Sequence, residues 1–208
     1  MIEVYTANTP NGIKIPIALE ELGLPYTIHL VDLGAGVQRS PEFLAINPNG
    51  RIPAIVDRLN DPAVKLPVFE SGAILLYLAE THDGLMGTTL AARTATLGWL
   101  FLQAAGLGPN FGNSSYFLRN DPANTVAVAR FRDEAKRHLA VVNDRLSTVE
   151  WLNGECYSIA DIAHFCWIRS AAYAGLDLAD FPAAMNWVER IETRPAVSRG
   201  LNACRVPE

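Results

Sequence analysis

The order in which strand-like and helical patterns follow one another limits the folds open to this chain more than any other feature of its sequence. IEVYT at 2–6 and TIHLVD at 27–32 predict short strands, and apolar residues recur at helical spacing over 13–22 before Gly23. Two strands joined by one helix form a βαβ unit. The chain is therefore expected to begin with this unit.

The patterns that follow predict two more strands. Ser40 and Pro41 open a short helix over 40–46, and PAIVD and PVFE predict strands separated by about eight residues rich in turn formers. Strands this close in sequence are able to pair as an antiparallel hairpin. SGAILLYLAE then predicts an amphipathic helix, so the first half has the order βαβαββα.

The second half of the chain carries helical patterns only. From about residue 88 onward Ala, Leu, Arg and Asp dominate, and THDGLMGT at 81–88 interrupts the helical pattern with two glycines. This break predicts a linker. We therefore expect one domain over 1–82 and an all-α domain over 88–208.

Two helices of the second domain have distinct patterns. Apolar residues recur at steps of three and four over 128–146, which predicts one stripe of a long helix. Residues 159–174 are apolar on nearly every side, as expected for a central buried helix. Ser158 and Asp161 stand three positions apart at its start. This spacing predicts a capping box, in which each side chain satisfies the other residue's backbone N–H.

Charge, histidine and cysteine content exclude several classes of function. A formal net charge of −5 argues against a nucleic-acid partner, because phosphate binding needs clustered Lys and Arg. We find neither a signal peptide nor an apolar run near the roughly 18 residues of a membrane span. Three cysteines without a CxxC pair favour a reducing compartment, so the expected location is the cytoplasm. Four scattered histidines predict no metal site.

Four motifs in order resemble the soluble glutathione transferase superfamily over essentially the whole chain. They are TPNGIKI, VDLGAGVQRSPEF, NPNGRIPAIVD and FESGAILLYLAE. They are most similar to its Nu-class and yeast-prion-like branch, whose bacterial members are glutathione-dependent disulfide-bond oxidoreductases. The resemblance implies an α/β plus all-α architecture, with a thioredoxin-like N-terminal domain and a helical C-terminal domain. It also implies a homodimer that uses glutathione as co-substrate and no metal.

The resemblance implies the reduction of small disulfides, with both reacting thiols supplied by glutathione. Thr9 and Asn11 lie at the first strand-to-helix junction and match the groups that face the glutathione sulfur in this branch. On residue type alone, they are equally an ordinary N-cap and turn pair. No cysteine lies near them in the sequence.

The resemblance also assigns contacts along the glutathione backbone. Gln38 matches a residue that touches the backbone or the glycine end, although a surface loop residue is the simpler interpretation. The Ile52–Pro53 bond is cis in this fold, which leaves the peptide groups of Ile52 to pair with an extended ligand; X–Pro bonds in general are mostly trans. On residue type, Arg51 could meet the glycine carboxylate, but an exposed arginine needs no such role, so Arg51 is not among the predicted site residues.

Glu70 and Ser71 match the residues that bind the γ-glutamyl end. Ser71 is first of all an expected helix N-cap, whose N–H groups would bind a carboxylate, while Glu70 would pair with the ammonium. The alternative is that Ser71 only caps the helix and that Glu70 is only a solvated surface acid. Arg130 matches a residue that reaches the glutathione of the neighbouring subunit. An exposed pair with Glu134, four residues on, would also explain it.

Two other functions remain open. Tyr5 lies near the end of the first strand, where Tyr-type transferases carry a phenol, so one alternative is a conjugating transferase in which Tyr5 or Thr9 stabilises the thiolate. An aromatic core residue explains Tyr5 equally well. The second alternative is a non-catalytic regulatory scaffold that keeps the glutathione groove. Turnover of 2-hydroxyethyl disulfide with glutathione would separate these functions.

Overall fold

The computed structural model describes residues 1–59, 61 and 63–205. The last three residues of the expected second domain, 206–208, lie outside the described residues. No helix in the described part of the chain has both the length and the hydropathy that crossing a membrane requires.

Contacts divide the described chain into two compact units. The first contains residues 1–84 together with the described residues from 194 onward, and the second contains residues 85–193. The last helix in sequence therefore belongs to the first unit, with the strands.

The first unit is built on a four-stranded mixed sheet with the strand order β2-β1-β3-β4. β1 pairs with β2 in parallel and with β3 antiparallel, and β3 pairs antiparallel with β4. This topology confirms the predicted βαβ unit, the hairpin and the thioredoxin-like domain. The strands are β1 (Ile2–Thr6), β2 (Tyr26–Leu30), β3 (Ala54–Asp57) and β4 (Leu66–Phe69).

Local capping residues set the ends of the helices in this unit. Gly23 ends the first helix in a left-handed conformation with φ 65°, as its position predicted. The Oγ of Ser40 accepts a hydrogen bond from the backbone N–H of Phe43 and caps the second. The helices are α1 (Lys14–Leu22), α2 (Pro41–Leu44) and α3 (Ser71–Thr81), with α9 (Pro195–Ala203) from the end of the chain.

Helix α9 packs closely on α1. A Cβ atom added at Gly200 would lie 2.6 Å from the Cα of Ile17, so only glycine allows this approach. Arg194 binds Glu21 through two hydrogen bonds of 2.7 and 2.8 Å. Close packing and a bidentate ion pair therefore tie the end of the chain to the first helix.

The secondary-structure elements described in the second unit are all helices. A π-helical segment, Gln103–Leu107, joins its first two helices. The helices are α4 (Leu90–Leu102), α5 (Gly108–Asn120), α6 (Thr125–Leu146), α7 (Ile159–Ile168) and α8 (Pro182–Glu192). The long helix predicted over 128–146 is confirmed as α6.

The helix predicted over 159–174 is shorter in the structure. α7 ends at Ile168, and the chain continues through a 3₁₀ turn, Ala171–Ala174, to Gly175 with φ 73°. Ala171 and Ala174 remain buried. The apolar pattern therefore predicted the burial of this segment correctly but not the end of the α-helix.

The capping box at the start of α7 is confirmed. Asp161 is fully buried and accepts hydrogen bonds from both the backbone N–H and the hydroxyl of Ser158, at 3.0 and 2.8 Å. It also accepts from the backbone N–H of Leu152 at 3.0 Å and from the indole of Trp187 at 3.2 Å. One carboxylate therefore joins the start of α7 to the preceding loop and to α8.

We predict that Asp161→Ala lowers the free energy of unfolding by about 3 kcal/mol, because several buried donors, each worth about 1–3 kcal/mol, lose their acceptor. Urea denaturation followed by circular dichroism measures the change. Asp144→Ala, on the exposed part of α6, is the matched control and is expected to change stability by less than about 0.5 kcal/mol. Equal effects of the two variants would contradict the structural role of Asp161.

Candidate active site

An open cavity of about 660 Å³ lies in the first unit, beyond the end of β1. Four of the predicted site residues, Thr9, Asn11, Gln38 and Ile52, line it. Its complete wall consists of Thr9, Asn11, Leu33, Gln38, Arg39, Leu44, Asn49, Gly50, Arg51 and Ile52.

The corner between β1 and α1 is a tight turn that glycine alone can form. A Cβ atom at Gly12 would lie 2.0 Å from the carbonyl oxygen of Ala7 and 2.6 Å from the Oγ1 of Thr6. The hydroxyl of Thr6 donates to the Gly12 carbonyl at 2.9 Å, and the Gly12 N–H donates to the Oγ1 of Thr9 at 3.1 Å. These contacts hold Thr9 at the cavity wall.

The hydrogen bond from Gly12 determines whether the Thr9 hydroxyl can donate a hydrogen bond to a ligand. Thr9 is not the N-cap of α1, because the helix begins at Lys14 and Ile13 takes the cap position. Its Oγ1 instead accepts a hydrogen bond within the turn. A hydroxyl has one proton and two lone pairs, so the Thr9 proton is available for a ligand.

Gln38 lines the cavity and carries a buried acceptor atom. Its Nε2 donates a long hydrogen bond of 3.4 Å to the carbonyl of Leu33. Its Oε1 is buried without a hydrogen-bond partner among the described residues. An unsatisfied buried acceptor costs about 1–3 kcal/mol, which a ligand N–H would recover.

The NPNG turn brings a residue to the site that the sequence patterns did not predict. The Oδ1 of Asn47 accepts the N–H of Asn49 at 2.9 Å, and the Nδ2 of Asn49 donates to the Oε1 of Glu70 at 3.2 Å. Asn49 therefore links the cavity wall to Glu70. Its position in a run of turn formers was the only indication in the sequence.

The Ile52–Pro53 peptide bond is cis, which confirms the expectation from the resemblance. Ile52 lines the cavity, and Pro53 is buried directly before β3.

Glu70 has an unusual backbone conformation at the start of α3. Its φ is 69° and its ψ is 119°, a combination that non-glycine residues rarely adopt. Such strain costs about 1–3 kcal/mol and is concentrated at functional sites. The expected N-cap role of Ser71 is wrong: Ser71 is the first helical residue, because the helix begins one position earlier than its residue type suggested and Glu70 takes the cap position.

Two arginines give the cavity wall a positive region. Arg39 and Arg51 are both exposed there, and no sequence pattern had indicated Arg39. Exposed guanidinium groups suit a planar carboxylate, which they bind with two hydrogen bonds.

Tyr5 directs its hydroxyl away from this arrangement. The phenol donates to the Oε2 of Glu3 at 3.0 Å, and its ring stacks on His29 with centroids 4.6 Å apart. Burial, together with the hydrogen bond to Glu3, raises the pKa of Tyr5. Its ring packs beside the buried cluster that contains Phe43. These contacts favour the interpretation of Tyr5 as a core aromatic residue.

Arg130 lies on the exposed surface of α6 in the second unit and is not among the residues that line the cavity. The expected pair with Glu134 is formed by Arg137 instead, at 3.0 Å. The hydrogen bond from Arg137 lowers the pKa of Glu134, and the charge of Arg130 adds a smaller effect.

None of the described residues that line the cavity is a cysteine. Cys166 and Cys204 are fully buried, and Cys156 is partly buried against the carbonyl of Met86. Burial raises the pKa of Cys204 to about 11, so this thiol is a poor nucleophile near neutral pH.

The mixed sheet, the cis-proline and the cavity at the strand–helix corner define the thioredoxin-like class of fold. The chain belongs to the glutathione S-transferase family: residues 2–80 match its N-terminal domain and residues 114–195 match its C-terminal domain. This confirms the resemblance inferred from the four motifs.

Individual relatives are similar over nearly the whole chain. Disulfide-bond oxidoreductase YfcG of Escherichia coli (strain K12) is 48% identical over 97% of this chain and 94% of its own length. A glutathione transferase family member from Pseudomonas fluorescens, solved with two glutathione bound, is 41% identical with a TM-score of 0.89 and coverages of 96% and 92%. A glutathione transferase from Pseudomonas putida, with one glutathione disulfide per subunit, is 39% identical with a TM-score of 0.90 and coverages of 96% and 90%.

We predict that Gly12→Ala destabilises the protein by about 1–3 kcal/mol or more, because the new methyl group overlaps the Ala7 carbonyl and the corner must shift. Gly98→Ala is the matched control, since nothing lies within 4 Å of a Cβ atom at that position in α4. It is expected to be neutral or stabilising by up to about 1 kcal/mol. Urea denaturation measures both, and a stable Gly12→Ala variant would contradict the described corner.

Proposed function

We propose that this chain is a glutathione-dependent disulfide-bond oxidoreductase that acts on small disulfides. The observation that carries the proposal is a cavity with a hydroxyl and an amide at the strand–helix corner, with no cysteine among the described residues of its wall. The name of the Escherichia coli relative supports the reaction type, and the glutathione species in the two Pseudomonas structures support the ligand.

The cavity, together with Glu70 and Ser71 at the start of α3, offers a suitable partner for each part of glutathione; Glu70 and Ser71 do not line the cavity, but Asn49 of its wall binds Glu70. Glu70 and Ser71 suit the ammonium and carboxylate of the γ-glutamyl end, and the unsatisfied Oε1 of Gln38 suits an amide N–H of the ligand. The peptide groups of Ile52, before the cis Pro53, suit the extended cysteinyl backbone. At the positive region of the wall, Arg39 or Arg51 would meet the glycine carboxylate.

Thr9 and Asn11 would then act on the glutathione sulfur. A hydrogen bond to a charged acceptor contributes about 1.5–3 kcal/mol, and one pKa unit corresponds to about 1.36 kcal/mol. A single donor would therefore lower a thiol pKa near 8.5 by roughly one to two units. Thiolates with a pKa near the ambient pH are the best attacking groups, so no charged base is needed.

The proposed reaction uses two glutathione molecules for each disulfide. The thiolate of the first attacks one sulfur of the disulfide, forms a mixed disulfide and releases the other half as a thiolate, which takes up a proton. The second glutathione attacks the glutathione sulfur of the mixed disulfide. Glutathione disulfide forms and the second substrate thiol leaves. Two thiols are oxidised and one disulfide is reduced, so the electrons balance without a cofactor.

Conjugation of glutathione to a carbon electrophile is the second candidate. The Thr9 hydroxyl favours it to the same degree, because a stabilised thiolate is the nucleophile in either reaction. The hydrogen bond from Tyr5 to Glu3 disfavours the version that uses the phenol. A regulatory scaffold would bind glutathione but turn over neither kind of substrate.

We also propose a cytoplasmic homodimer with a glutathione-binding domain at 1–82 and an all-α domain at 88–208, although the last helix of that range, α9, packs with the first unit. The position of Arg130 on an exposed face of α6 supports a role across the subunit interface, because its side chain is not needed to fill a core.

We predict that Thr9→Ala and Asn11→Ala each lower the rate of 2-hydroxyethyl disulfide reduction by roughly ten- to a hundredfold, the equivalent of one lost hydrogen bond to a thiolate. Thr9→Ser keeps the hydroxyl and is expected to retain most of the activity. The variant Cys156→Ser, Cys166→Ala, Cys204→Ala should remain within a few-fold of wild type. The measurement is the initial rate at fixed glutathione.

Circular dichroism confirms that each variant is folded. A folded but inactive cysteine-free variant would assign the reacting sulfur to the protein and overturn the mechanism. Full activity of the Thr9→Ala, Asn11→Ala double variant would instead remove both residues from the reaction.

We predict that Arg130→Ala raises the KM for glutathione or its disulfide several-fold while the dimer persists in size-exclusion chromatography. The physical reason is the loss of a cation near a ligand carboxylate, whereas the interface area stays almost the same. Arg132→Ala, an exposed arginine of the same helix, is the control. Unchanged kinetics of Arg130→Ala would leave this residue as a solvated surface charge.

A further inference from the structure

Lys14 is a buried lysine whose ammonium group has no part in the mechanism described so far. It lies in the first turn of α1 with 1% of its surface exposed. Its Nζ donates a hydrogen bond of 3.2 Å to the Oγ of Ser71, in the first turn of α3. Lysine is almost never fully buried, because an ammonium group loses its hydration there. The bond to Ser71 places this ammonium group next to the γ-glutamyl end of the proposed site.

The contact fixes the direction of the Ser71 hydroxyl. An ammonium group only donates hydrogen bonds, whereas a serine hydroxyl has one proton and two lone pairs. The bond from Lys14 therefore uses a lone pair of Ser71, and the Ser71 proton must point elsewhere. A cation on its oxygen also polarises the O–H bond and strengthens it as a donor.

We propose that Lys14 is a positioning residue for glutathione, which keeps Ser71 as a hydrogen-bond donor to the α-carboxylate of the γ-glutamyl group. This inference rests on the proposed function, because glutathione is the ligand. The neighbouring Glu70 has the opposite polarity and accepts from the ammonium on the same carbon of the ligand. Lys14, acting through Ser71, thus favours binding of the carboxylate, and Glu70 binds the ammonium of the same α-amino acid group.

Truncated ligands separate this role from a merely structural one. 4-Aminobutyryl-cysteinylglycine is glutathione without the α-carboxylate, and glutaryl-cysteinylglycine is glutathione without the α-amine. Isothermal titration calorimetry of the full chain gives the Kd of each ligand for wild type, Lys14→Met, Ser71→Ala and Glu70→Gln. Methionine matches lysine in length but neither donates a hydrogen bond nor carries a charge.

Lys14→Met is expected to weaken the binding of glutathione and of the glutaryl analogue by about tenfold or more. It should leave the Kd of the decarboxylated analogue within about twofold of the wild-type value. Glu70→Gln should show the reverse pattern, with its loss confined to ligands that carry the amine. Because Lys14 acts through Ser71, the Lys14→Met, Ser71→Ala double variant should lose much less than the sum of the two single losses.

Equal weakening of glutathione and of the decarboxylated analogue by Lys14→Met would overturn the inference, since lost packing affects both ligands alike. Lys14→Arg keeps the charge and is expected to retain the preference for the carboxylate. If Lys14→Met does not fold, Lys14→Leu provides the same comparison, because leucine also lacks both the donor and the charge. Wild-type protein that binds neither glutathione nor its disulfide would overturn the proposed function as well. If wild type binds glutathione but Lys14→Met changes the Kd of glutathione and of the decarboxylated analogue by the same factor, or changes neither, the inference alone is overturned.

Discussion

The site depends on the corner at Gly12, where the chain leaves β1 and enters α1. The Ala7 carbonyl and the Thr6 hydroxyl occupy the space that a side chain would need, so any other residue would displace the turn. The same glycine offers its N–H to Thr9 and its carbonyl to Thr6. One residue without a side chain therefore determines where the Thr9 hydroxyl lies.

The helix that follows this corner is held from the far end of the sequence. Gly200 lets α9 approach the backbone of α1 at Ile17, and the bidentate pair between Arg194 and Glu21 adds a directional contact. Close-packed helices transmit small displacements because they have little free volume. Helix α9 therefore supports the first unit, although its amino-acid composition resembles that of the second unit.

Local rules predicted most of the elements, and contacts distant in sequence account for what they missed. Gly23, Ser40 and the Ser158–Asp161 box act on their immediate neighbours, so their effects were visible in the sequence. The bond between Asn49 and Glu70 spans 21 residues, and the bond between Lys14 and Ser71 spans 57. No periodicity encodes such pairs. The resemblance to a family indicated Glu70 and Ser71 but not the side chains that hold them.

The hydroxyl groups of Thr9 and Ser71 share one arrangement, which supports the proposed binding of anionic groups beside the exposed Arg39 and Arg51. In each case an internal donor uses a lone pair of the hydroxyl oxygen: the Gly12 N–H at Thr9 and the Lys14 ammonium at Ser71. Both hydroxyl protons are thereby left for the ligand. A thiolate and a carboxylate are acceptors, so Thr9 and Ser71 suit the two anionic groups of one γ-glutamylcysteinyl unit. Glu70, an acceptor, suits its single cation.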